Sequence, residues 1–311
     1  MIHWLYWTLT RRVMYLGLAL VTAAGFFGGV AWWLDVIGDF RIQIALAVAA
    51  LALGSAAVFQ RKEVLFGLAV LAANGVAVQP YMNPGQQTTA AMKIISFNVL
   101  HSNRNTAEAL ELIVRESPDV VIVTEATETW QRALAELAAI YPYRIYGPFG
   151  GLPDQDPHAI GMLAKRPWLA TGIEHSNRTG RAFAVWARFA ELTVVGVHLM
   201  NPILRPAIDQ RVEAGQLATL VTKVKGPVIV AGDFNMTPFS SRFATLIKNA
   251  GLMRAGGGLN ASWPALIAPY GLPLDHHLVG GGISSASMRP GPRLDSDHLP
   301  MIGTFELKTP D

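Results

Sequence analysis

From residue 92 onward, polar clusters recur at the ends of apolar runs. They are Ser96-Phe97-Asn98, Thr124-Glu125, Val197-His198-Leu199, Gly232-Asp233-Phe234-Asn235, Leu274-Asp275-His276 and Ser296-Asp297-His298. Strand ends are where a sheet delivers functional side chains to one rim. The side chains in question are Asn98, Glu125, His198, Asp233, Asn235, Asp275, Asp297 and His298, a set rich in oxygen donors. Magnesium prefers oxygen ligands, keeps several of its waters and is often held by only one or two carboxylates. Histidines with carboxylate neighbours supply acid–base groups that titrate near neutral pH. The chain has no cysteine, which removes thiolate catalysis, Cys-bound zinc and a disulfide scaffold.

Each cluster taken singly has a plainer explanation. An Asn or Glu after a strand is commonly a turn or cap residue, and Gly-Asp-x-Asn is a turn signal. A lone His after a strand is more often structural than catalytic, and Ser-Asp-His can cap a turn. A serine hydrolase is disfavoured because no G-x-S-x-G elbow is present.

The elements that must position these residues alternate between strands and helices. Apolar, β-branched runs predict strands at Met92–Phe97, Val120–Thr124, Arg144–Tyr146, Ala159–Lys165, Ala182–Phe189, Leu192–Val197, Pro227–Ala231, Leu274–Val279, Ile283–Met288 and Met301–Leu307. Helical periodicity follows Asn105-Thr106-Ala107-Glu108, a helix-start pattern, and recurs at Thr129–Ala139 and Arg205–Val224. Many strands, few of them joined as simple βαβ units, predict packed sheets with helices outside, a layered α/β or α+β domain.

The first 82 residues are of another kind. The whole chain of 311 residues is 51% hydrophobic and 15% charged, where a soluble domain carries about 25% charged. Of its 25 Lys and Arg and 22 Asp and Glu, only 5 and 3 fall in residues 1–82, so the remainder is almost neutral. Val13–Leu34, Ile42–Gln60 and Val64–Met82 carry no charge, and each is near the roughly 20 residues that a membrane-spanning helix needs. Three transmembrane helices are expected (about 13–34, 42–60 and 64–82), joined by short links. Arg11 and Arg12 before the first span and Arg61 and Lys62 after the second share one side by alternation. The positive-inside tendency makes that side the cytoplasm. Everything after the third span then lies on the extracytoplasmic side. A cleaved signal peptide is the competing reading, but the first apolar run exceeds the 7–15 residues of an h-region and two more runs follow. Residues 83–91 form a polar linker, which reaches at most about 30 Å when extended, and 92–308 form a separate domain.

In this order, SFN, TE, HL, GDFN, LDH and SDHLP resemble the endonuclease/exonuclease/phosphatase superfamily, with its pancreatic-deoxyribonuclease-like fold. The likeness runs over Met92 to Leu307, and the phrases FNVLHSNRN and YPYR with the N-terminal spans resemble a bacterial membrane-anchored branch. The resemblance implies a four-layer sandwich of two packed β-sheets flanked by helices, and a Mg²⁺-dependent phosphoric ester hydrolase, with Mn²⁺ as an alternative ion. By the same resemblance Glu125 is the main metal ligand with Asn98 beside it, and Asp297 supports the metal and water network. Asp233 orients or deprotonates the attacking water and Asn235 binds phosphoryl oxygens. His298 contacts the phosphate, polarised by Asp275, and His198 is a general acid or phosphate ligand. Members of the superfamily differ in metal number and in the residue that acts as base.

The substrate class stays open between a lipid-linked phosphodiester, a nucleotide and DNA or RNA, with a catalytically idle binding domain as the non-enzymatic alternative. A nucleic-acid enzyme usually shows a basic patch, and residues 83–311 have only scattered bases, Lys165-Arg166, Arg178, Arg181 and Arg188 being the nearest to a cluster. Ala255–Leu274 carries no charge and ends at Asp275. It reads either as a core-packed loop or as an apolar lip that meets a bilayer or a lipid tail.

Overall fold

The computed structural model describes residues 2–58, 60–82, 92–147, 158–203 and 207–308, with side chains from residue 6 onward. The linker expected at 83–91 lies outside the described residues. Two compact units are present: Met1–Asn83 with Thr237–Ala244, and Pro84–Met236 with Thr245–Asp311.

The first unit is helical: α1 Ile2–Ala24, α2 Trp32–Asp39, α3 Arg41–Ala57 and α4 Arg61–Val78. Ile44, Val48 and Val70 form its apolar centre. Asn74 donates to Thr22 Oγ1 at 2.9 Å, and Tyr15 to Ser55 Oγ at 3.2 Å. Glu63 accepts from both Arg11 and Arg12, at 3.2 and 3.3 Å, so the middle of α1 lies beside the first turn of α4, which carries Arg61 and Lys62.

The three expected spans are not three matching helices. Arg61–Tyr81 is long and apolar enough to cross a membrane, but Val13–Leu34 is broken, with helical axes bent by 117° between Tyr6–Phe27 and Trp32–Asp39. The break follows Phe27, at Gly28-Gly29, and a Cβ on Gly28 would lie 2.2 Å from Asp35 Oδ1. Glycine is what admits that approach. Helix α3 has 17 residues, about 25 Å against a hydrocarbon core of about 30 Å. Nor is Asp35–Arg41 a simple link. Asp35 accepts from Ser241 N and Arg242 Nε, both at 2.6 Å, and Asp39 Oδ1 accepts from Thr237 Oγ1 at 2.6 Å. Residues 237–244, assigned from sequence to the 92–308 domain, therefore complete the first unit.

The second unit holds two six-stranded sheets. The strands of the first are β1 Met92–Asn98, β2 Val120–Thr124, β3 Tyr143–Tyr146, β4 Ile160–Ala164, β11 Ile283–Pro290 and β12 Met301–Leu307, in the order β11-β12-β1-β2-β4-β3. The second contains β5 Ala170–His175, β6 Ala182–Arg188, β7 Thr193–His198, β8 Val228–Asp233, β9 Met253–Arg254 and β10 Asp275–Gly280, ordered β5-β6-β7-β8-β10-β9. Each sheet has one parallel pair, β1 with β2 and β7 with β8, among antiparallel neighbours. Ile94, Val120, Ile122, Ile160 and Met162 of one sheet pack with Val185, Val194, Ile229 and Ala231 of the other. Burying each of the Ile, Val and Met side chains among them stabilises by about 1.5–3 kcal/mol. Helices α5 Ala107–Glu116 and α6 Glu128–Leu134 supply Ala109, Leu112, Ile113, Trp130 and Leu134 to a second core with Val121 and Val123. Completing the set are α7 Ala207–Thr222 and α8 Ser241–Ala250, whose first four residues belong to the first unit.

Strands β5 and β9 and helix α8 have no counterpart in the sequence reading. Strand β5 is half exposed and carries Thr171, Glu174 and His175, so it lacks an apolar run. Helix α5 begins as expected, but Thr106 makes no side-chain cap bond.

Candidate active site

Strand register delivers the site. His198 closes β7 and pairs with Asp233, which closes β8, and Asp233 also pairs with Asp275, the first residue of β10. Residues paired across neighbouring strands share a face, so these three form a row on the second sheet. On the first sheet Asn98 closes β1 opposite Thr124, and Glu125 follows at a left-handed φ of 58°. The packing of the two sheets brings the two sets together.

Asn98 is the join. Its Nδ2 donates to Glu125 Oε1 at 3.0 Å and to Asp233 Oδ2 at 3.1 Å. Asp233 Oδ1 accepts the Asn235 backbone N–H at 2.8 Å, and Asn235 Nδ2 donates to Leu199 O at 2.9 Å and, more weakly, to Asp233 Oδ2 at 3.4 Å. The Asn235 backbone is left-handed, φ 49°, which turns its side chain back onto the strand end. Asp275 Oδ2 lies 2.7 Å from His298 Nδ1, and Ser296 Oγ, bonded to Asn98 O at 2.7 Å, holds the His298 N–H at 3.1 Å. Both His198 Nε2 and His298 Nε2 stand 3.8 Å from Asp233 Oδ2.

Electrostatics separate the two histidines. Burial opposes charge on His298, but Asp275 and Asp233 outweigh it and lift the imidazole to about 10. Burial, reinforced by Arg181, His158 and His298, holds His198 well below its ordinary value. At neutral pH one is an imidazolium and the other a neutral ring. Burial and the charge of Asp275 push the Asp233 carboxyl upward. Unlike poise in adjacent groups is a mark of acid–base sites.

Seven of the eight sequence-derived residues lie in this contact network, whereas Asp297 is placed differently. Its side chain is exposed and accepts Trp263 Nε1–H at 2.9 Å, and its carbonyl accepts the Ala265 N–H at 2.7 Å. Among the described residues no hydrogen bond joins Asp297 to Glu125 or Asn98. Two arrangements of side chains could hold a divalent cation. One is Glu125 with Asn98. The other is Asp233, Asp275 and His298, whose ligand atoms fall within 4.8 Å of one another. Asp275 Oδ1 is buried and has no hydrogen-bond partner among the described residues, as a cation-facing oxygen would be. The oxygen-rich donor set fits a divalent ion.

Several site-adjacent residues escaped the sequence reading. Arg181 pairs through two nitrogens with the buried Glu213, at 2.8 Å each, and also donates to His198 O at 2.6 Å and to His158 Nδ1 at 3.2 Å. The rings of His158 and His198 are 6.4 Å apart. His101 contacts Glu125. None follows an apolar run in the way that marked the others. His276, flagged beside Asp275, faces away from the row: its Nε2 lies 2.9 Å from Met236 O.

The apolar segment divides. Ala255, Ala261, Ala265, Leu272 and Leu274 are buried, whereas Leu266, Ile267 and Tyr270 are 72%, 50% and 60% exposed. The Trp263–Asp297 bond fastens this exposed group to the residue next to His298.

The model of the Endonuclease/Exonuclease/phosphatase family matches residues 95–298. No curated protein matches the chain in sequence. Solved structures with the same fold include truncated Caenorhabditis elegans TDP2, at 14% identity and TM-score 0.53, over 69% of this chain and 97% of that one. The 3′ phosphatase NExo from Neisseria, bound to a product DNA hairpin, superposes at 16% identity and TM-score 0.55, over 70% and 100%. A humanized D. rerio TDP2 does so at 18% and 0.53, over 69% and 98%.

Proposed function

The chain belongs to the endonuclease/exonuclease/phosphatase family, and from that premise we propose that it is a membrane-anchored, divalent-metal-dependent phosphodiesterase acting on a lipid-linked phosphodiester. The carrying observation is the unbroken contact path Glu125–Asn98–Asp233, with His198 and the Asp275–His298 pair beside it.

Glu125, with Asn98, would hold the ion, Mg²⁺ or Mn²⁺. The trio Asp233, Asp275 and His298 is the poorer cage, because an imidazolium repels a cation. When bound, the ion neutralises charge on the phosphoryl oxygens. Asp233, fixed by Asn98 and the Asn235 N–H, orients the attacking water and accepts its proton. His298 directs a charged Nε2–H at the phosphoryl group, because Asp275 engages Nδ1. His198, a neutral ring, serves as a phosphate ligand rather than as a strong acid. The long Asn235–Asp233 contact is the one that a phosphoryl oxygen displaces, freeing an amide donor. Such preorganised donors act where charge develops.

Two observations support a lipid-linked substrate at a membrane. Leu266, Ile267 and Tyr270 are exposed on a segment bonded to Asp297, and the first unit contains apolar helices. We place α1, α3 and α4 across the bacterial inner membrane, with short α3 accommodated by local thinning. On this reading Arg11, Arg12, Arg61 and Lys62 face the cytoplasm, in keeping with the positive-inside tendency, and the chain after α4 lies in the periplasm. A reporter fused after Asp311 is then active only if it is of a periplasmic type.

The deciding experiment incubates the purified protein, with Mg²⁺ or with chelator, against lipid-linked phosphodiesters, nucleotides and DNA. Metal-dependent turnover of a lipid-linked ester, abolished in Asp233→Asn, is expected. Turnover of DNA alone makes the protein a nuclease, and no turnover of any ester makes it a binding domain.

A further inference from the structure

Glu125 is held on two sides. Asn98 occupies Oε1, and Oε2 accepts two hydrogens from one residue that the sequence reading did not single out, the His101 backbone N–H at 2.9 Å and the ring at Nδ1, 2.7 Å away. A carboxylate only accepts, so Nδ1 carries the hydrogen. The turn that makes this double contact is unusual. Leu100, with a branched side chain, adopts a left-handed φ of 62°, and Glu125 opposite it has φ 58°. The Leu100 N–H is caught by Asn98 Oδ1 at 3.1 Å, and its carbonyl by the Asn103 N–H at 2.8 Å. Left-handed backbone at non-glycine residues persists only where the surroundings over-determine it, commonly at functional sites. Here its product is the delivery of His101 onto one oxygen of Glu125. The ring is not a core group, since its side chain is 38% exposed.

We propose that His101 is a positioning residue for the divalent-metal site. It pins Oε2 so that Glu125 is presented to the ion in one orientation, and so sets the affinity of the site. This rests on the reading of Glu125 as the metal ligand. Groups that orient a metal ligand from behind govern affinity strongly: removing one typically weakens metal binding about 10–100-fold. Asparagine at position 101 retains a short N–H donor near the place of Nδ1, whereas alanine retains none.

The test is Mn²⁺ and Mg²⁺ binding by calorimetry to the full chain in detergent, for the native protein and for His101→Ala, His101→Asn and Glu125→Ala. His101→Ala is expected to raise Kd about 10–100-fold for both ions, with His101→Asn recovering most of the loss. Unfolding midpoints measured with chelator separate a binding effect from misfolding. Electron spin-echo modulation of bound Mn²⁺ adds a structural readout: a positioning role predicts no nitrogen coupling that disappears in His101→Ala. Native-like affinity in His101→Ala, with binding lost in Glu125→Ala, overturns the role of His101 alone. A nitrogen coupling that vanishes with His101 also overturns it, making the ring a direct ligand. Unaltered binding in Glu125→Ala, or none in the native protein, overturns the metal-site reading and this inference together.

Discussion

Asn98 on one sheet donates to Asp233 on the other at 3.1 Å, a hydrogen bond that joins the two halves of the candidate site. Its second amide hydrogen goes to Glu125. Replacing Asn98 by alanine leaves the buried Asp233 carboxylate and the partly buried Glu125 carboxylate without their shared donor. Loss of one preorganised donor costs about 10²–10³ in kcat, and hydrogen bonds to charged groups contribute about 1.5–3 kcal/mol to stability. Steady-state kinetics and thermal unfolding of Asn98→Ala check both. Activity within threefold of native would remove Asn98 from the site.

The Asp275–His298 pair has a defined pH signature. The folded-state value of His298 is raised from 6.5 to about 10, against the pull of burial and by the charges of Asp275 and Asp233. A raised imidazole contributes stability that is fully present below the unfolded value and is lost as pH rises through the folded one. In the native protein that loss falls between 6.5 and about 10. Asp275→Asn removes the largest supporting charge, so its alkaline loss of stability should be smaller and should be complete closer to neutrality. Unfolding midpoints across this range, native against variant, give the comparison. Superimposable profiles would show that Asp275 does not set the charge of His298.

Arg181 and Glu213 form a buried ion pair that also carries His158 and the carbonyl of His198. Removing one partner of such a pair strands the other charge, at a cost of about 3–5 kcal/mol. Arg181→Ala should therefore unfold at markedly lower denaturant, and more so than Arg178→Ala, because Arg178 is itself half exposed in its pair with Asp209. Equal midpoints for the two variants would contradict the difference in burial.

The exposed apolar group on the Asp297 segment can be tested against its buried neighbours. Leu266→Ser with Ile267→Ser should leave folding intact, because both side chains are largely in solvent. It should lower turnover of a membrane-embedded phosphodiester while sparing a short soluble one. Equal losses on both substrates would remove the main support for a lipid-linked substrate.

The residue types, the strand runs and the order of polar clusters were legible in the sequence because each depends on local physics. An apolar β-branched run makes a strand, and the residue after it lies at a sheet edge. On this basis Asn98, Glu125, His198, Asp233, Asn235, Asp275 and His298 could be listed before their geometry was known. What the sequence could not supply is distance. Asn98 and Asp233 are 135 positions apart and meet only because two sheets pack face to face. The Arg181–Glu213 pair leaves no periodic trace, and nothing local links Asp297 to Trp263. His101 stood in the phrase FNVLHSNRN unremarked, since only the left-handed turn at Leu100 aims it at Glu125. The apolar N-terminal stretches were equally plain, but hydropathy alone does not detect a break at Gly28-Gly29 or the pairing of Asp35 and Asp39 with residues 237–244. Composition and period set which residues can form the elements and the chemistry. Side-chain packing between elements distant in sequence decides which of them meet, and only the tertiary structure contains that information.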